Sequence, residues 1–232
     1  MKKSYKRIDA YLSSLGYCTR SEAAAFLRKN QVTAKGIKVK DVKEKFHHDE
    51  IRIDTKELDP EVLTLLMNKP NGVICSHDDA GKLIYALLPE RWQRRNPKLS
   101  TVGRLDIDTT GAILLTDDGA LNHKLTSPKN KVAKIYEATL AEALKGDEVA
   151  LFASGTLMLN GEEKPLMSAT LEILSETKAR LEIHEGKYHQ VKRMFAATGN
   201  KVLTLHRVSF DGHSVEELKA GEYKRITLDT NA

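Results

Sequence analysis

The sequence predicts an α+β protein, with a small α/β module at the N-terminus followed by a domain on a mixed, largely antiparallel sheet. Three observations carry this. Helical apolar spacing and a short hairpin fill the first 58 residues. From residue 63 onward strand-like runs dominate, without the regular helical crossovers of a doubly wound parallel sheet. No stretch approaches the roughly eighteen unbroken apolar residues of a membrane helix.

In "RIDAYLSSLG", Ile8, Leu12 and Leu15 share a helical face, and Gly16 supplies a stop. "TRSEAAAFLRKN" places Glu22 three residues after Thr19, the spacing of a capping box. Ala23, Phe26 and Leu27 then line a face, and Arg28 and Lys29 close the last turn, where cations suit the helix dipole. "VTAKGIKV" predicts strand, turn at Lys35-Gly36, strand, and "HHDEIRID" predicts a further short strand. Asp59-Pro60 breaks regular structure. The expected division is a module over 1–58, a linker over 59–62 and a second domain over 63–232. In that domain strands are expected at 63–68, 73–76, 112–116, 132–140, 169–174, 179–184, 202–210 and 223–228. Helices are expected at 82–87, 120–125, 142–152 and 189–198. In the last, Val191, Met194, Phe195 and Thr198 recur at helical spacing.

Charge is unevenly spread. Residues 1–58 carry 14 lysines and arginines against 8 acids, whereas residues 59–232 carry 23 against 24. A compact basic module on a near-neutral body suits a polyanion. Cys18 and Cys75 are far apart in sequence and read as reduced thiols. With no secretory leader evident, the chain is expected to be cytoplasmic. Neither GxGxxG nor GxxxxGK[ST] occurs, so no nucleotide cofactor is suggested.

"GRLDIDTTGAILLTDDG", from Gly103 to Gly119, sets acid inside an apolar run. If residues 104–108 are extended, Arg104, Asp106 and Asp108 share one face and Leu105 and Ile107 the other. Asp117-Asp118-Gly119 has turn chemistry, with Gly119 free to take positive φ. Asp106 and Asp108 admit three readings: polar residues at a strand end, a DxD metal site, or a lone carboxylate acting as nucleophile or base beside a cation. The metal reading calls for further ligands, and the eight histidines show no ligand spacing. Spacing alone does not choose among the three.

Other candidates are less specific. Arg91, Arg94 and Arg95 flank Trp92 in "PERWQRRNPK", a composition that suits either single-stranded RNA or a loop with Trp92 tucked onto the core. His123, Lys124, Lys129, Lys131 and Lys134 form a second basic stretch, suited to backbone phosphates or to a solvated surface. Tyr188 and His189 suit RNA contact or a surface loop.

"RIDAYLSSLGYCTRSEAAAFLRKNQVTAKGIKV" resembles the S4 RNA-binding domain. That resemblance implies an RNA-facing surface including Arg20, Arg28, Lys29, Lys35 and Lys38, which would position on phosphates and read little sequence. "GRLDIDTTG", "KIYEATL" and "EGKYHQVKRMFAATGNKVLTLHRVSF", in that order, resemble the pseudouridine synthases of the RsuA branch. What that implies is an isomerase without cofactor or metal. It would act on one uridine of 16S ribosomal RNA (family target uridine 516), within a small-subunit assembly intermediate, as a monomer. By the same resemblance Asp106 is the catalytic aspartate and Arg104 its RNA-facing neighbour. Tyr136 packs on the base, Val191 lines its pocket, and Lys192 pairs with Asp106. Asp108 receives no chemical role. The uridine must leave its stack to be reached, an aromatic ring can stack on it, and Lys192 would hold Asp106 ionised and aimed. A large-subunit (23S) RNA synthase, a non-catalytic assembly factor and a metal-dependent hydrolase are the alternatives.

Overall fold

A computed structural model describes residues 5–228. The chain forms two compact units. One holds the residues up to 64 together with 85–100 and 116–119, and the other holds the remainder.

In the first unit, β1 (Lys6–Arg7) leads into α1 (Ile8–Ser14), followed by α2 (Ala23–Lys29), β2 (Val32–Ala34), β3 (Ile37–Lys38), β4 (Lys45–Phe46), β5 (Ile51–Ile53) and β6 (Lys56–Glu57). β1 pairs with β4, and the other four form a sheet ordered β3-β2-β5-β6. The apolar face expected of the first helix is buried: Ile8, Leu12 and Leu15, with Tyr11, pack against Ala23, Leu27, Val32 and Ile51. The two reciprocal bonds of the expected capping box form, on the turn that leads into α2. The Thr19 amide donates to Glu22 Oε2 at 2.9 Å and the Glu22 amide to Thr19 Oγ1 at 3.3 Å. Gly16 has φ +79°, and a Cβ there would lie 2.1 Å from the Arg91 carbonyl oxygen, so the α1 stop doubles as a close approach.

The same unit takes in β7's first residue (β7 is Thr64–Lys69) and α3 (Glu90–Gln93). Here "PERWQRRNPK" is drawn inward. Trp92 is buried and its indole N–H donates to Asp59 Oδ2 at 2.6 Å, while the Arg91 guanidinium bonds the same oxygen and covers the Tyr17 ring. Arg95, 2% exposed, donates to Asp117 Oδ2 at 2.6 Å and to the carbonyls of Pro60 and Glu61. Asp117 Oδ1 accepts the Leu63 amide at 2.8 Å. The structural reading of Asp117 and of Trp92 therefore holds, but as buried anchors rather than as a turn and a loop. Gly119 differs from expectation: it opens a helix and is not among the positive-φ glycines.

The larger sheet runs β11-β12-β10-β13-β9-β7-β15, with β8 (Ser100–Thr101) on β9 and β14 (His213–Ser214) on β13. Its remaining strands are β9 (Thr110–Thr116), β10 (Lys134–Leu140), β11 (Thr170–Ser175), β12 (Lys178–Ile183), β13 (Val202–Phe210) and β15 (Tyr223–Arg225). β10 pairs antiparallel with β12 and β13, whereas β13 and β9 are parallel, so the sheet is mixed. α4 (Gly119–Thr126), α5 (Asp147–Ala153) and α6 (Gln190–Ala197) complete the set. One core joins Leu66, Ala112, Leu114, Leu121, Leu125 and Phe210.

Four expected elements are shorter than expected. The strand at 73–76 is a single bridge, Ile74 to Leu83, and the helix at 82–87 is a 3-10 turn over Ile84–Leu87, because the Ile74 amide bonds the Lys82 carbonyl. The helix at 142–152 starts at Asp147. Gly146 takes φ 95°, and the amides of Lys145 and Gly146 turn onto the Glu148 carboxylate. The strand at 223–228 ends at Arg225.

Candidate active site

Residues 104–108 do not form the extended face that alternation suggests. Ile107 and Asp108 make a turn, closed by the Thr109 amide donating to the Asp106 carbonyl at 3.1 Å. Leu105 is buried while Ile107 is 53% exposed, so the two do not share a face. The cause is Lys69. Its ammonium is fully buried and donates to the carbonyls of Thr109 (2.9 Å), Pro70 (3.2 Å) and Ile107 (3.3 Å). Burial lowers the Lys69 pKa, and nearby Cys75, Asp108 and Asp106 work the other way. Beyond the turn β9 begins, and Gly111 with φ +106° lets it reach β13. A Cβ there would stand 2.2 Å from the Arg207 carbonyl oxygen.

The turn brings both carboxylates to one cation. Lys192 Nζ donates to Asp106 Oδ2 at 3.0 Å and to Asp108 Oδ1 at 2.7 Å. His189 Nε2 lies 3.3 Å from Asp106 Oδ1. Burial disfavours the Lys192 ammonium, but the bonds to Asp108 and Asp106 outweigh it and raise its pKa. The same bond from Lys192 lowers the pKa of Asp108. Asp108, which resemblance left without a role, is thus a partner in the cluster. α6 is fixed by burial of Val191, Met194 and Phe195, as its apolar spacing predicts, with Thr198 at its C-cap. Its entry is tied by Glu185 Oε1, which accepts the Met167 amide (2.8 Å) and Gln190 Nε2 (3.0 Å). Arg193 does not face solvent freely: it bonds Glu162 and the Tyr188 and Asn160 carbonyls.

Asp106 and Lys192 border a pocket whose floor is the sheet. Tyr136 on β10 is buried there, with Arg207 opposite it on β13 and Leu181 on β12. A register shift between Ile135 and Tyr136 lets Arg207 and Phe210, three residues apart, sit opposite Tyr136 and Lys134. Arg207 Nε donates to the Ala112 carbonyl at 2.6 Å and Nη1 approaches the Tyr136 hydroxyl at 3.4 Å.

Arg104, Asp106, Tyr136, Val191 and Lys192 all line this one pocket. Arg104 is exposed. Arg20, Arg28, Lys29, Lys35 and Lys38 are exposed on the first unit, where Lys35 pairs with Glu50 at 3.3 Å. Of the second basic stretch, Lys134 turns into the pocket while Lys129 and Lys131 stay exposed. Tyr188, 71% exposed, stacks on His189 at 3.8 Å. Among the described residues no group of three or more His, Cys, Asp or Glu is placed to hold a metal. Sequence reasoning missed Lys69 and Arg207. Lys69 had no signal beyond its place at the end of an apolar strand, and Arg207 lay unremarked inside a quoted segment.

A family model described as RNA pseudouridylate synthase matches residues 63–197. The chain is 40% identical over 229 residues to the ribosomal small subunit pseudouridine synthase A of Vibrio cholerae, covering 95% of this chain and 96% of that one. The enzyme of the same name from Escherichia coli is 38% identical over the same shares. A solved structure titled as a crystal structure of pseudouridylate synthase matches with TM-score 0.67 and 39% identity, over 95% of this chain and 96% of that one. A match of this extent spans the carboxylate turn, the tyrosine strand and the lysine helix alike, and by it the chain belongs to the RNA pseudouridylate synthase family.

Proposed function

We propose that this chain isomerises one uridine of small-subunit (16S) ribosomal RNA to pseudouridine in the cytoplasm, with uridine 516 as the target and Asp106 as the reacting carboxylate. The observation that carries this is Asp106 held by Lys192 at 3.0 Å at the mouth of a pocket floored by Tyr136. The N1–C1′ bond breaks, C1′ joins C5 of the same base, the C5 proton leaves and N1 takes up a proton, so the reaction is an isomerisation that needs no oxidant or energy source. Asp106 acts on the ribose, by attack at C1′ or by taking the C2′ proton to give a glycal. Tyr136 stacks on the everted uracil and stands near its C5 proton. Val191 closes the apolar side of the base pocket. Arg104 meets the RNA backbone near the everted nucleotide.

The residues of 1–58 are assigned the role of an S4-like RNA-binding module, with 59–62 as the linker to the catalytic region 63–232. Arg20, Arg28, Lys29, Lys35 and Lys38 supply its phosphate contacts. The substrate is a small-subunit assembly intermediate and the working form a monomer. Among the described residues no helix is long and apolar enough to cross a membrane.

The test is tritium release from small-subunit RNA labelled at uridine C5. Wild type releases tritium, Asp106→Asn is slower by roughly a thousandfold or more, and Asp108→Asn retains measurable release. Release by Asp106→Asn at the wild-type rate would falsify the assignment. Tight binding with no release on small-subunit RNA, but release on large-subunit RNA, would reassign the substrate. A primary isotope effect from deuterium at C2′ would select the glycal route.

A further inference from the structure

Two cations share the floor of the pocket, and neither has a carboxylate within ion-pair distance among the described residues, although Glu185 lines the same pocket. Lys134 Nζ and the Arg207 guanidinium both lie over the Phe210 ring, 5.6 and 4.9 Å from its centroid. Lys134 donates to the Val132 carbonyl at 2.7 Å, and Arg207 to Ala112 and Tyr136 as described. Neither forms an ion pair among the described residues. Arg207 is 2% exposed, and its Nη2 is buried without a hydrogen-bond partner. Burial, and then the Arg207 charge, push Lys134 down to about 8, while Asp211 and Glu185 oppose the shift from a distance. Glu185 Oε1 accepts the Met167 amide and Gln190, and its carboxylate makes no ion pair with Lys134.

Like charges held together in a partly desolvated site carry a free-energy cost that a bound anion removes. A neutral acceptor such as a uracil carbonyl satisfies one N–H but leaves both charges unbalanced. A phosphate answers both, through the unpartnered Nη2 of Arg207 and the point charge of Lys134. The chain's own substrate class carries one phosphate per nucleotide.

We propose that Lys134 and Arg207 form a phosphate subsite that seats the backbone phosphate adjoining the everted uridine, an assignment that rests on the RNA substrate proposed above. The subsite fixes the sugar relative to Asp106 through the phosphate it carries. It therefore serves positioning as well as affinity.

Two measurements test it. The first compares binding of wild type, Lys134→Gln and Arg207→Gln to small-subunit RNA with natural phosphates, and to the same RNA with a single neutral methylphosphonate on either side of the target uridine. In wild type one of the two replacements weakens binding by roughly ten- to a hundredfold. Each variant weakens natural RNA comparably and loses little more on the neutral RNA. Losses that multiply at both positions, or no loss at either, overturn the subsite. Lys134→Gln keeps the comparison decisive if Arg207→Gln does not fold, because Lys134 is only half-buried. The second uses inorganic phosphate alone and follows the Lys134 ammonium by NMR. Phosphate raises its midpoint from about 8 in wild type and not in Arg207→Gln or Arg207→Lys. A midpoint that phosphate leaves in place counts against the subsite even if no uridine in small-subunit RNA is turned over, which is the separate result that sinks the substrate assignment.

Discussion

Asp108 differs from Asp106 chiefly in exposure: 62% of its side chain is accessible against 29% for Asp106. Both bond Lys192, so the ammonium is shared between a carboxylate set in the pocket and one that faces water. The Lys192 bond holds the Asp108 pKa below the ordinary carboxylate range. A group whose folded pKa is depressed adds stability above its unfolded pKa, about 3.9 for aspartate, and that stability is lost as pH falls through the folded value. Thermal melting followed from pH 5 to pH 2 is therefore expected to fall less steeply for Asp108→Asn than for wild type. Equal slopes would show that the Lys192 bond to Asp108 does not persist in solution. The size of the effect is small, because water screens a pair this exposed.

The turn at 106–109 and strand β9 form one device. Lys69 bonds the Thr109 and Ile107 carbonyls, the second of which also accepts the Gly72 amide at 2.9 Å, and Gly111 lets β9 lie against β13 directly after the turn. Lys69→Met removes the ammonium donor from the Thr109, Pro70 and Ile107 carbonyls, leaves Ile107 its Gly72 amide, and is expected to destabilise the protein by roughly 2–4 kcal/mol. If Asp106 is the reacting carboxylate proposed above, kcat in the folded fraction should fall with KM nearly unchanged. A variant with unaltered kcat would deny Lys69 any part in positioning. Gly111→Ala meets both a positive φ and the Arg207 backbone, at a cost of roughly 3 kcal/mol. For a chain of this length that is a drop in Tm of about 6–12 °C, readable by calorimetry. A smaller drop would mean that β9 and β13 separate easily, and the floor of the pocket with them.

Charge acts over the whole molecule. The excess of positive charge lies in residues 1–58, and the five basic side chains named there are exposed. If they meet phosphates, replacing Arg28 and Lys29 together by Gln should lower the slope of log affinity against log salt by about 1.4–1.8. An unchanged slope would remove that helix end from the RNA contacts. Much of this organisation was legible in the sequence. Helical spacing in 8–15 and 191–198 marked faces that are buried, β13 spans the 202–210 expected of it, and the reciprocal Thr19–Glu22 bonds form because they span three residues. The basic N-terminal excess and the family motifs belong to the same local information. What depended on distant partners was not legible. Arg95 and Asp117 are twenty-two residues apart and read as a loop cation and a turn acid, yet they are a buried pair. Arg207 faces the pocket beside Phe210 because of a register shift that no spacing rule announces. Short-range pattern and motif were enough for the fold class, for the family and, through the family's motifs, for Arg104, Asp106, Tyr136, Val191 and Lys192 as residues that line one pocket. Distant contacts were needed to show that Asp108 shares Lys192, that Lys69 holds the aspartate turn, and that Lys134 and Arg207 lie over one ring without an ion pair. Each of those depends on where a charge ends up after burial, and burial belongs to the folded chain as a whole.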